Sequence, residues 1–215
     1  MMANKDISCH HLTVSRTARF FVAEAVGEPQ RLLIVCHGYA QSAASFLQEV
    51  SKADLPGYVI VAPEGLSRFY RRGFEGDVVA SWMTREDRLA EIRDQVAYLD
   101  QLANLLKDEY GPLPLDVLGF SQGVPTVCRW LAESEIHAEH LVLWQGMVPE
   151  TDTMSRLAAK FQQGVDLVLG NSDPFFTPTR EGHLQEAVRG IGVRWHRFEG
   201  GHEMEPLLLE QILKA

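Results

Sequence analysis

Apolar runs of strand length alternate along the chain with stretches whose apolar residues recur every three or four positions. The runs at 20–26, 32–37, 58–62, 115–120, 140–144, 166–169 and 193–198 predict strands. Helical spacing predicts helices at about 42–53, 86–109, 122–134, 153–163, 179–190 and 205–214. The longest carries Leu89, Ile92, Val96, Leu99, Leu102 and Leu106 as one apolar stripe, which should lie on a sheet. Helix-length gaps between strands point to crossovers. The pattern is that of an α/β fold with a mostly parallel sheet of about seven strands and helices on both faces.

Two places depart from that rhythm. The link Gly27-Glu28-Pro29-Gln30-Arg31 is short and turn-rich, so the first two strands are expected to pair as an antiparallel hairpin. Residues 63–85, rich in arginine, glycine and aromatics, read as one long irregular loop, a functional segment or a lid. No repeat or linker interrupts the chain, so residues 1–215 are expected to form a single domain.

Composition narrows the function classes. A 215-residue chain that is 46% hydrophobic can bury a core without disulfides or metal. Its formal net charge of −9 speaks against a nucleic-acid or anionic-membrane surface. The polar start, Met1-Met2-Ala3-Asn4-Lys5-Asp6, opens no signal-like apolar core, and no later stretch is long enough to span a bilayer. A cytoplasmic protein without membrane insertion, monomer or homodimer, is the expectation. Cys9, Cys36 and Cys128 read as reduced packing residues.

The chemistry concentrates at Gly119-Phe120-Ser121-Gln122-Gly123, between a strand and a helix. This is the pattern of a nucleophile elbow, a turn so tight that glycines must flank its serine. A serine hydroxyl attacks a carbonyl only if a base takes its proton, so a histidine and an acid are expected downstream. His202, in the loop Gly200-Gly201-His202-Glu203, is the candidate base; His183 falls in a predicted helix and His196 in a predicted strand. Asp173, 52 residues after Ser121 and 29 before His202, is the candidate acid, with Asp152 as its competitor and Asp166 as a strand-edge residue. Gly38 bends the loop after the second strand toward the serine, so the N–H groups of Tyr39 and Gln122 are the candidate oxyanion donors. His37 should brace that loop. His137 and His140, three apart, fit a solvated helix end better than a metal site.

Around this constellation Tyr39, Phe69, Tyr70, Trp82, Met147, Phe175, Phe176 and Met204 form a candidate pocket for an acyl or aryl group, with core packing as the alternative for each. Arg68, Arg71 and Arg72 read as a solvated basic loop, with contact to a substrate carboxylate or phosphate as the alternative.

Several motifs together carry a family resemblance. Val35-Cys36-His37-Gly38-Tyr39, Pro63-Glu64-Gly65, Ser81-Trp82-Met83, the GFSQG at 119–123, Gly170…Asp173…Pro178 and Gly201-His202-Glu203-Met204 resemble the phospholipase/carboxylesterase family of α/β-hydrolases. That family includes the acyl-protein thioesterases. The resemblance runs from about residue 32 onward and implies a Ser121, Asp173, His202 triad, an oxyanion hole from Tyr39 and Gln122, and hydrolysis of a small ester or thioester without a cofactor. Two positions depart from it: Ala40 stands where the family usually has a second glycine, and Val124-Pro125 where it has Gly-Ala. The 37–46 stretch is also similar to small fungal and animal serine hydrolases of the same superfamily. A fold that binds without turnover, or a perhydrolase or lyase using the same triad, are the alternatives.

Overall fold

The computed structural model describes residues 6–161 and 164–215. Its strands are β1 (Phe20–Ala23), β2 (Arg31–Cys36), β3 (Tyr58–Pro63), β4 (Ser67–Arg72), β5 (Glu75–Ser81), β6 (Leu115–Phe120), β7 (His140–Trp144), β8 (Val165–Gly170) and β9 (Val193–Phe198). The helices are α1 (Ala43–Val50), α2 (Arg88–Tyr110), α3 (Gly123–Glu133), α4 (Thr151–Lys160), α5 (Pro178–Ala187) and α6 (Pro206–Leu213). The predicted end of the fourth helix at Gln163, like the start of the chain at 1–5, lies outside the described residues.

Seven strands join in the order β1-β3-β2-β6-β7-β8-β9, all parallel except β1. The order follows from burial. In β2 the residues Leu32 to Cys36 are all buried, as a strand covered on both faces requires, and it pairs in parallel with β3 and with β6. β1 is only half-buried and takes the edge beside β3. The expected β1–β2 hairpin is therefore not formed. The 27–31 link instead crosses the start of β3, where Gln30 and Arg31 both donate to the Gly57 carbonyl. The antiparallel start holds, with a different partner.

Side chains alternate across the sheet and build two cores. Leu33, Val35, Ile60 and Val142 meet Phe46 and Val50 of α1 and Leu209 and Ile212 of α6. On the opposite face Ile34, Val61, Val117 and Leu167 meet Leu99 and Leu106 of α2, Val127 and Trp130 of α3, Leu157 of α4 and Leu184 of α5. Helices thus cover both faces. Of the predicted stripe on α2, Ile92, Leu99, Leu102 and Leu106 are buried and Val96 is half-buried, whereas Leu89 is 66% exposed and lies outside it. Cys36 and Cys128 are free and buried, and burial pushes the Cys128 thiol up to about 12.

The stretch 63–85 is not irregular. β4 and β5 form a separate antiparallel hairpin within it. Ser-Arg-Phe-Tyr-Arg-Arg lacks the apolar face that marks a strand docked on a core, so the sequence pattern hides it.

Two polar clusters pin the elements. Asp166 is a buried residue inside β8 and not a strand-edge residue; it binds His140 of β7 and His196 and Arg194 of β9, which hold its carboxylate well below the ordinary range against the opposing push of burial. His140 accordingly opens a strand and does not end a helix. Glu150 joins Arg88 of α2 to Arg129 of α3. Burial pushes its carboxyl up, but hydrogen bonds from the backbone, Arg88 and Arg129 outweigh it and bring it from 4.5 to about 2. A carboxylate depressed in the fold stabilises it above its unfolded value and loses that contribution as pH falls through the folded one. Thermal melts of Glu150→Gln and the parent should therefore differ most above pH 4.5 and converge between pH 4.5 and 2; a gap that persists at pH 2 would contradict the assignment.

Candidate active site

The strand order reverses direction between β2 and β6, since the chain goes from β2 outward to β3 but from β6 the other way to β7. Loops at the carboxyl ends of strands part at such a point and leave a crevice. The loop after β2 and the turn after β6 face each other there, and an added Cβ on Gly38 would lie 3.1 Å from the Ser121 Cβ.

Ser121 has φ 52, a left-handed conformation that a side-chain-bearing residue adopts at a cost. Its backbone is held from both sides: the N–H donates to the Trp144 carbonyl at 2.9 Å, and its carbonyl accepts from Val124 at 3.1 Å. The flanking glycines are required sterically. A Cβ on Gly123 would sit 2.0 Å from the Cys36 carbonyl oxygen, and one on Gly119 would sit 2.6 Å from the Gly123 oxygen. Gly123→Ala should accordingly force α3 off β2. The expected loss is several kcal/mol, on the order of the largest core substitutions, read as a fall in the urea midpoint; an unchanged midpoint would mean that the close approach is not there. Val124-Pro125 is accommodated, because Val124 is buried and Pro125 falls in the first turn of α3, where its missing N–H has no helical acceptor.

His202 and Asp173 come from the loops after β9 and β8. His202 Nδ1 lies 2.7 Å from Asp173 Oδ2, with the Asp173 side chain wholly buried and the imidazole 20% exposed. The second carboxylate oxygen accepts the Phe175 N–H at 2.8 Å, so Asp173 is fixed at both ends. The imidazole lies against Phe120, the residue before the serine, with ring centroids 5.0 Å apart. Phe175 meets it edge-on at 4.7 Å. Among the described residues the Ser121 hydroxyl forms no hydrogen bond, to His202 or to any other group. In unliganded sites such bonds are often long and tighten on substrate binding. Asp152, the competing acid, is exposed in the first turn of α4 and pairs with Arg156. His183 is exposed on α5, and His196 belongs to the Asp166 cluster.

Two residues outside the candidate pocket secure the His202 loop. Trp144 Nε1 donates to the Glu203 carbonyl at 3.0 Å, and Gln145, with φ 49, donates from its side chain to the Gly201 carbonyl. Trp144 ends β7 and Gln145 follows it, and their partners lie more than 50 positions away, beyond the reach of local spacing.

His37 is buried and neutral in role. Its Nε2 accepts the Gly65 N–H at 3.0 Å, which puts the ring proton on Nδ1, and Nδ1 donates to the Gly38 carbonyl at 2.7 Å. Burial lowers its affinity for a second proton. Because a trans peptide points its C=O and N–H in opposite directions, this bond orients the Tyr39 N–H away from His37. Among the described residues neither the Tyr39 nor the Gln122 N–H donates to another protein group.

Of the candidate pocket residues, Tyr39 and Phe175 are exposed at the site, and Phe69 lies against Tyr39 with ring centroids 5.6 Å apart. Tyr70 is exposed on β4. Met147 and Phe176 are half-buried against the core of one face and Met204 against the other. Trp82 is a core residue, 1% exposed, with its ring tilted against that of His37, and donates Nε1–H to the His37 carbonyl at 2.8 Å. A separate cavity of about 430 Å³ opens between α5 and β9, lined by Gln185, Val188, Arg189, Ile191, Val193 and Trp195, none of them part of the site. Among the described residues one group could supply metal ligands, Cys9, His11 and Asp87, whose donor atoms lie within 4.8 Å of one another; all three are exposed. No helix among these residues is long and apolar enough to cross a membrane.

No family model matches the chain, and no curated protein matches its sequence. Solved structures do. Acyl-protein thioesterase 2 of Zea mays superposes with a TM-score of 0.71 at 20% identity, over 92% of this chain and 97% of that one. Esterase PE8 gives 0.72 at 20%, over 93% and 99%. The Bacillus cereus carboxylesterase gives 0.62 at 17%, over 92% of each. At such identities the likeness is one of fold, and the fold is that of the α/β-hydrolases, as the strand pattern and motifs led one to expect.

Proposed function

We propose that the chain is a serine hydrolase of the phospholipase/carboxylesterase kind, cleaving carboxylic esters or thioesters through an acyl-enzyme on Ser121. The observation that carries this reading is the buried Asp173 held at 2.7 Å from His202, whose ring lies against the residue before a strained elbow serine. The esterases and thioesterase with which the chain shares its fold support it.

In this mechanism Ser121 Oγ attacks the carbonyl carbon while its proton passes to His202 Nε2. The oxyanion is met by the Tyr39 and Gln122 N–H groups, donors that need no reorganisation when charge develops. Asp173 keeps the Nδ1 proton in place and stabilises the imidazolium. That imidazolium protonates the departing alkoxide or thiolate, and a water deprotonated by His202 then attacks the acyl-serine, releasing the carboxylic acid and restoring the serine. Tyr39, Phe69 and Phe175 offer apolar surface to an acyl or aryl group. The test is turnover of p-nitrophenyl acetate, p-nitrophenyl butyrate and an acyl-CoA, together with labelling by a fluorophosphonate. Saturable hydrolysis and stoichiometric labelling are expected; a chain that does neither is a binding module.

A further inference from the structure

The motif Ser81-Trp82-Met83 closes β5, and no step of the proposed hydrolysis uses it. Its neighbourhood joins the two loops that carry the oxyanion donors. On one side β5 is stitched to the loop after β2: the Ala40 N–H donates to the Ala80 carbonyl at 3.0 Å, and the Ala80 N–H donates to the Gln41 carbonyl at 2.9 Å. From β4, Arg71 Nη2 donates to the Ala40 carbonyl at 2.9 Å. On the other side the Gln122 side chain accepts the Trp82 N–H through Oε1 at 3.0 Å and donates from Nε2 to the Met83 carbonyl at 2.8 Å. Residues 80–83 therefore grip the Tyr39 loop at one end and the Gln122 turn at the other.

These bonds hold parts that would not keep their place unaided. Ala40 has φ 57, a left-handed conformation that a non-glycine residue adopts at a cost, and both its N–H and its C=O are anchored to the hairpin. The Gln122 amide faces a donor with its oxygen and an acceptor with its nitrogen, a pairing that neither a carboxylate nor a thioether can reproduce.

We propose that the β4–β5 hairpin is the strut that sets the spacing of the two oxyanion donors, with the Gln122 side chain and Arg71 as positioning residues; this rests on the serine-hydrolase reading above. Loosening the strut misplaces a donor that acts on the transition state, and a displacement on the order of 1 Å costs about 100-fold in rate. Substrate affinity in the ground state is not altered by it.

Steady-state kinetics on p-nitrophenyl butyrate tests this. Gln122→Met keeps the backbone N–H but not the amide bonds, and its kcat should fall about 10- to 100-fold while KM stays within about twofold and the shape of the pH profile is unchanged. Arg71, exposed on the hairpin, gives a variant certain to leave the core intact: Arg71→Met should show a smaller fall in kcat, partly returned by Arg71→Lys. Unchanged kcat in Gln122→Met overturns the proposal, as does a rise in KM at constant kcat, which would make the side chain a substrate contact. If Gln122→Met melts early, Arg71→Met decides on the same two readouts. A parent protein without turnover fails the hydrolase reading itself, a result distinct from any of these.

Discussion

Replacing Ser121 by alanine is expected to remove ester hydrolysis by a factor of about 10⁴ or more while leaving the protein folded. In the proposed mechanism the Ser121 oxygen forms the covalent intermediate, which sets the size of the effect; the remaining groups can only polarise a carbonyl for water. The fold should not register the change. Alanine bears the same Cβ in the same left-handed turn, and the lost hydroxyl makes no hydrogen bond among the described residues. A melting temperature within about 2 °C of the parent is expected. Labelling by a fluorophosphonate should vanish in parallel with turnover. Parent-like hydrolysis in Ser121→Ala would place the chemistry elsewhere and end the proposed mechanism.

Asp173→Asn is the second substitution with a large expected consequence. Asparagine can keep the hydrogen bond from the Phe175 N–H through its oxygen, so the turn that carries it survives. Its amide nitrogen then occupies the position facing His202 Nδ1. Two donors cannot share that contact, so the imidazole must give up its Nδ1 proton and carry it on Nε2, where it can no longer accept one from Ser121. A loss of about 10⁴ in kcat is expected from this wrong tautomer. Asp152→Asn serves as the control, because that carboxylate is exposed and paired with Arg156. Equal losses in the two variants, or a larger one at Asp152, would reassign the acid.

The candidate site was legible in the sequence where spacing is short and the backbone demand strong. Gly123 is needed because α3 passes against the Cys36 carbonyl, and Gly119 because Gly123 and Val127 of α3 crowd it, and that need shows in the residues themselves. His202 and Asp173 were legible as loop residues after strands, since the strand rhythm locates every such loop. What escaped was set by partners distant in sequence. Nothing near Gln145 announces that its side chain holds the Gly201 carbonyl, and nothing in the apolar runs says that β1 pairs with β3 instead of β2. Trp82 read equally well as a pocket wall or a core residue, because an indole suits both; its burial beside His37 decides for the core. The β4–β5 hairpin was hidden because strand recognition relies on an apolar face, and this one lies outside the main sheet.

In the proposed mechanism the elbow also makes turnover a gauge of assembly. Gly123 can reach the Cys36 carbonyl only after β2 has paired with β6, across more than 80 residues of intervening chain. The loops of Asp173 and His202 are placed by β8 and β9, two further pairings that are parallel and non-local. Ordering contacts of that range is slow compared with helix formation. In a refolding experiment, recovery of esterase activity should therefore lag behind the helical circular dichroism signal. Until then a protease or chaperone would meet a chain whose serine turn and histidine loop are not yet in place.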